Sequence, residues 1–261
     1  MHTDAWFAIG DTHVVCEDFA VAGRTEQGEA FAIVSDGCSS SPETDVGARL
    51  LAAAARVELL QGRLPGTEVV HAAARAAAAL QLPPHCLDAT LLVALTKGDR
   101  CHVRVFGDGV VAVKRRDDQL VVHRFEHPDG APPYPSYGLD AARERLWHEH
   151  CSPILIEHVE GAVTERGEHR TPPRLTFSRQ DVQSITLGSD GLDAFVRVDE
   201  GIASAVPATA VLERLLRFPQ TRGRFLARRG RRFLRRECTQ RGWRPTDDIS
   251  LAAIVWPAEA A

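Results

Sequence analysis

No cysteine pair in this 261-residue chain has the C-x-x-C spacing of a zinc ribbon or redox motif. The six cysteines, Cys16, Cys38, Cys86, Cys101, Cys151 and Cys238, lie 15 or more residues apart and read as scattered reduced thiols. A disulfide framework would suit a small secreted chain, which this is not. No apolar run approaches the roughly 18 residues that a membrane-spanning helix requires. The opening Met1-His2-Thr3-Asp4 lacks the basic and apolar regions of a secretory signal, so a cytoplasmic protein is expected. Charge of one sign is also missing, with 31 Lys+Arg against 35 Asp+Glu for a net charge of −4, and 44% of residues are apolar. That is an ordinary globular composition, long enough to bury a sizeable core, and no linker-like stretch divides it. One domain over residues 1–261 is expected. Among the eleven histidines, His148 and His150 alternate with Glu149 as on one strand face, but nothing nearby completes a metal set.

Strand patterning begins at Val14–Val21 and continues at Phe31–Val34. Two Ala-rich stretches follow, Val46–Leu60 with Thr44 or Asp45 as cap, and Thr67–Gln81 between Pro-Gly and Pro-Pro; both predict helices. Strands are predicted at 89–95, 101–106, 110–113, 120–122, 154–156, 184–187 and 249–255, with a helix around Leu192–Phe195. Pro128–Pro135 carries four prolines and a glycine, cannot sit inside a sheet, and reads as a surface excursion suited to contact substrate. Segregated strands and helices predict an α+β layered fold, not a doubly wound parallel sheet.

The chemical signal is where the acids fall. Glu17-Asp18, Asp36-Gly37, Asp108-Gly109, Asp190-Gly191 and Asp247-Asp248 each lie in or at an end of a predicted strand. Asp-Gly alone is a common turn dipeptide. Three such pairs at strand ends, with two acidic doublets, favour a centre in which a hard cation neutralises converging carboxylates. Oxygen ligands of this kind select Mg²⁺ or Mn²⁺, and glycine after the aspartate lets backbone approach closely.

These residues resemble, in order, the metal-dependent serine/threonine protein phosphatases of the PPM or type 2C family, whose fold is an αββα sandwich of two antiparallel sheets. The matching stretches are Cys16-Glu17-Asp18, Phe31–Gly37, Ala89-Thr90-Leu91, Phe106-Gly107-Asp108, Leu187–Leu192 and Thr246–Leu251. The resemblance implies that Asp36 bridges two metal ions, that the Gly37 carbonyl and Glu17 or Asp18 serve the second, and that Asp190 and Asp247 serve the first. A third ion would lie on Asp108 with Asp190. It implies Asp36, Asp190 and Asp247 as catalytic residues, a phosphoprotein as substrate, and attack on phosphorus by a hydroxide bridging two ions, with no covalent phosphoenzyme. The C-x-x-x-x-x-R loop of cysteine-dependent phosphatases is absent around every cysteine.

The chain departs from the pattern in three places. His13 stands where the family has a phosphate-binding arginine, and could donate to phosphate only weakly. Cys38-Ser39-Ser40-Ser41 replaces the usual Met or His and glycine pair, and carboxylates near Cys38 should raise its thiol pKa. Asparagine is absent from the whole sequence, so Cys16 and Asp248 replace the family's Asn. These changes motivate an alternative, a catalytically weak regulatory or binding module on the same fold. Residues 214–244 hold twelve arginines and one acid, Glu237. The apolar spacing there predicts one or two amphipathic helices, read either as a solvated face balancing an acidic body or as a surface for an acidic partner. Aromatic interleaving is thin, and no nucleic-acid binding is expected.

Overall fold

A computed structural model describes residues 1–130, 132–152, 154–168, 172–199 and 201–256. Three antiparallel sheets account for its strands. The largest has seven strands, formed by β1 (His2–Ala8), β6 (Gly109–Arg115), β7 (Leu120–Glu126), β8 (Ile154–Val159), β9 (Ala162–Glu168), β11 (Val182–Gly188) and β15 (Ile249–Val255), in the order β1-β15-β11-β6-β7-β8-β9. The five-stranded sheet comprises β2 (Phe19–Arg24), β3 (Ala30–Ser35), β4 (Leu91–Lys97), β5 (Arg100–Phe106) and β10 (Arg174–Ser178), in the order β10-β5-β4-β3-β2. A small sheet joins β12 (Phe195–Asp199) to β13 (Ile202–Ala205) and β14 (Trp243–Pro245).

Burial divides these into layers. Small and branched side chains from both large sheets, among them Val34, Leu92, Val105, Val111, Leu187 and Ile254, form one buried cluster between them. The outer face of the five-stranded sheet is covered by α1 (Thr44–Leu60) and α2 (Val69–Ala79), whose Ala48, Leu51, Ala55 and Ala73 pack on Phe31 and Ile33. The opposite outer face carries α4 (Ala208–Leu215) and α5 (Phe225–Arg232), which runs through a π-helical turn (Phe233–Cys238) into α6 (Thr239–Arg241). The arrangement is the expected four-layer αββα sandwich. Completely buried strands read as continuous apolar runs, which is why β3, β4 and β15 are legible in sequence.

Several sequence expectations need correction. The first strand is His2–Ala8, and Val14–Asp18 is loop, with Val14 almost wholly exposed. Neither Thr44 nor Asp45 caps α1; the position before it is Glu43 in the left-handed region, and the Thr44 hydroxyl instead donates to Glu17 Oε1 at 2.9 Å. His148 and His150 lie in the last turn of α3 (Ala141–His150), not on a strand. The helix expected near Leu192 is a single 3-10 turn, Asp190–Leu192, and Phe195 opens β12. Within the proline-rich excursion, Pro128–Gly130 is exposed, whereas Pro132, Pro133 and Pro135 are buried. The arginine-rich stretch is amphipathic as expected, with Phe225, Leu226, Phe233 and Cys238 buried. No helix among the described residues is long and apolar enough to cross a membrane.

Candidate metal centre

Antiparallel pairing brings the acids together. Phe19 pairs with Ser35, so the start of β2 meets the end of β3. Gly188 pairs with both Leu251 and Val110, so the end of β11 meets the starts of β15 and β6. Asp18, Asp36, Asp108, Asp190 and Asp247 each lie just outside one of these strand ends. The Ala-Thr motif fixes Asp36 by its backbone: Thr90 N–H donates to the Asp36 carbonyl (2.8 Å), and Asp36 N–H donates to Thr90 Oγ1 (3.2 Å).

At the centre the Asp36 carboxyl lies against those of Asp18 and Asp190, and burial with their two charges drives its pKa well above the ordinary range. Asp18 is buried, and burial carries its pKa up to about 7 even though Ser189 Oγ donates to Oδ2 at 2.7 Å. Among the described residues, no donor makes a well-formed hydrogen bond to the buried Oδ1 of Asp18. Asp108 is likewise raised to about 7, by burial and then by the charge of Asp190. Asp247 is raised by burial and by the same neighbour. Such a set cannot ionise fully unless a cation enters. An unsatisfied carboxylate oxygen among all-oxygen donors fits Mg²⁺ or Mn²⁺.

Two glycines are required by close approach. A Cβ on Gly37 would lie 2.8 Å from the Thr44 Cβ and 3.0 Å from the Glu17 carbonyl oxygen, and one on Gly191 would lie 1.7 Å from the Asp248 carbonyl oxygen.

The last of the strand-end acids has a role that sequence did not suggest. Asp248 is buried, its Oδ1 accepting from Gly10 N–H (2.8 Å) and its Oδ2 from Glu17 N–H (2.6 Å), so it staples the 9–18 loop to β15. An asparagine would supply one acceptor oxygen and turn an NH₂ group toward the other donor. His13 contacts Asp247 Oδ1 (3.3 Å) and Asp248 Oδ2 (3.2 Å). Burial opposes its charge, but the Asp248 contact and the fields of Asp248, Asp247 and Glu17 prevail, and its pKa is raised. Both ring nitrogens of His13 thus lie near carboxylates. His13, Glu17 and Asp248 each bring one ligand-type atom within 4.8 Å of the others.

Cys38 corrects its expectation. Burial raises its thiol pKa, yet hydrogen bonds with Ser40, Tyr134 and Ser41 outweigh this and lower it. Tyr134 lies in the Pro128–Pro135 stretch that the sequence offered for substrate contact, but no motif there singled it out. Its hydroxyl bonds the Cys38 thiol and lies in the fields of Asp108 and Asp36, and burial raises its pKa so that it stays protonated.

The family model for protein phosphatase 2C matches residues 10–229. The chain belongs to the protein phosphatase 2C family. Its fold is similar to a bacterial serine phosphatase (11% identity, 100% of each chain covered, TM-score 0.61). It is similar also to the serine/threonine phosphatase Stp1 from Staphylococcus aureus (12%, 99% of this chain and 96% of that one, TM-score 0.60). A third is the catalytic domain of the serine/threonine protein phosphatase PstP in complex with two manganese ions (20%, 98% of each, TM-score 0.52). No curated protein sequence matches. This phosphatase-2C member thus shares its whole architecture with solved relatives at low identity.

Proposed function

We propose that the chain, as one domain over 1–261, is a Mg²⁺- or Mn²⁺-dependent phosphatase acting on phosphoserine or phosphothreonine in proteins. The observation that carries this reading is the contact of Asp36 with both Asp18 and Asp190, with Asp36 and Asp18 each buried and held above the ordinary carboxylate range. In it Asp36, Asp190 and Asp247 would hold one ion, and Asp36, the Gly37 carbonyl and Glu17 or Asp18 a second. Asp108 with Asp190 would hold a third. Bound there, divalent ions lower the pKa of water and offset phosphate charge in an in-line displacement. The chain's own residues orient and neutralise. Thr90 fixes Asp36 by its backbone, Ser189 holds one oxygen of Asp18, and Asp248 keeps Glu17 in place. Six unpaired cysteines suit a reducing compartment, supporting a cytoplasmic location. The arginine-rich segment leaves Arg224, Arg228, Arg231 and Arg235 exposed, a surface suited to an acidic partner.

Asp36→Asn tests the assignment. Turnover should fall on the order of 10³-fold with an unchanged circular-dichroism spectrum; retained turnover would overturn it. A second reading, a weakly catalytic binding module, is favoured by one observation: His13 is occupied by Asp247 and Asp248 and leaves no arginine in its place. Metal binding by the wild type without turnover would select it.

A further inference from the structure

The residues between β7 and β8 are fastened to the loop after Asp36 by one buried acid outside the carboxylate centre. Asp88, only 2% exposed, accepts from Ser41 Oγ (2.7 Å) at Oδ2 and from Ser136 Oγ (2.7 Å) at Oδ1. Arg143 of α3 grips both oxygens, Nη1 to Oδ1 at 3.1 Å and Nη2 to Oδ2 at 2.9 Å. The same guanidinium stacks 4.7 Å over the Tyr137 ring. The Asp88 backbone carbonyl accepts from Cys38 N–H at 2.8 Å, so one residue ties both ends of the Cys38–Ser41 loop.

Each bond has a consequence at the centre. Cys38 follows Gly37, whose backbone would approach a bound ion, and its thiol bonds Tyr134. Ser136 and Arg143 fix the segment that carries Tyr134, a residue within the fields of Asp108 and Asp36. The segment also walls a cleft of about 250 Å³ lined by Phe106, Gly107, Pro133, Tyr134 and Tyr137, and Gly107 immediately precedes Asp108. A bidentate guanidinium–carboxylate pair with two further hydroxyl donors is geometrically specific, and removing Asp88 would take one shared acceptor from Ser41, the buried Ser136 and Arg143 at once. Four hydrogen bonds on one side chain exceed what a turn needs.

We propose that Asp88 is a positioning residue: by holding Ser41, Ser136 and Arg143 together, it sets the Tyr134 segment against the carboxylate centre, where that segment contacts the polypeptide around the phosphorylated residue. This rests on the phosphatase reading. A small aryl phosphate reaches the carboxylates without using the cleft, whereas a peptide must also fit against the segment.

The test compares wild type, Asp88→Asn, Arg143→Lys and Tyr134→Phe with Mn²⁺, on a phosphothreonine peptide and on p-nitrophenyl phosphate. Hydrogen–deuterium exchange of residues 132–143 is followed in parallel. Asp88→Asn should raise the peptide KM about tenfold while shifting its kcat and both aryl-phosphate constants less than threefold, and should speed exchange in 132–143. Arg143→Lys, keeping charge but not the bidentate fork, should fall between Asp88→Asn and wild type. Tyr134→Phe should raise the peptide KM without faster exchange. Equal losses on both substrates tracking lost thermal stability would make Asp88 merely structural and overturn the proposal, as would unchanged exchange and unchanged peptide KM. A wild type inactive on both substrates would instead sink the phosphatase reading, and with it this role in catalysis; faster exchange in Asp88→Asn would then leave a structural clamp only.

Discussion

At Asp36 a single carboxyl group meets two others, and its neighbours' charges matter as much as its own. Asp36→Asn should therefore have two opposite effects: loss of turnover, and a metal-free protein more stable than wild type because one repelling acid is gone. Thermal unfolding in chelator checks the second effect. Gly191→Ala should behave differently. Its methyl would overlap the Asp248 carbonyl at 1.7 Å, and the backbone shift should cost roughly 1–3 kcal/mol in denaturant unfolding. The candidate acids were legible in sequence because carboxylates at the ends of buried strands need a reason to be there. Asp248 as a staple was not, since its partners Gly10 and Glu17 are more than 230 positions away in the chain. Nor was the state of Cys38, because Tyr134, which bonds its thiol, arrives from a distant segment.

The elements follow the same division between local and non-local causes. Buried strands such as Ala30–Ser35 and Ile249–Val255 declare themselves by unbroken apolar runs. The first strand, His2–Ala8, does not, because it lies at a sheet edge and pairs only with β15, so mixed polarity suffices. Within it Asp4 takes on a task no local pattern announces: its Oδ2 accepts from Leu226 N–H (2.7 Å) and Ala227 N–H (3.1 Å) at the start of α5. This is a helix cap supplied from the other end of the chain. Asp4→Ala should cost about 0.5–2 kcal/mol, read as a lower denaturation midpoint with unchanged slope. In that same helix layer Arg229 is spent internally, pairing with Glu237 and donating Nε to the Arg214 carbonyl at 2.8 Å. The amphipathic spacing predicted the helix, while the π-helical turn at Phe233–Cys238 had no counterpart in the periodicity.

For the whole molecule, the raised carboxyls couple stability to pH and to cations. Asp18 and Asp108 bind protons more tightly folded, near 7, than the ordinary aspartate value of 3.8. Their contribution is fully favourable below about 4 and is lost as pH rises toward 7. Metal-free protein should accordingly lose thermal stability across that window, each kcal/mol shifting the midpoint by about 2–4 °C. Mn²⁺ or Mg²⁺ should restore it, more at pH 8 than at pH 5, because protons compete for the same oxygens. A midpoint insensitive to both would contradict a carboxylate cation site. The most direct test of the central claim is turnover of a phosphothreonine peptide by wild type and Asp190→Ala, with Mn²⁺, with Mg²⁺ and with chelator. Turnover that requires a divalent ion and is lost in Asp190→Ala is the predicted result. Equal turnover in chelator, or full activity in the variant, would contradict it.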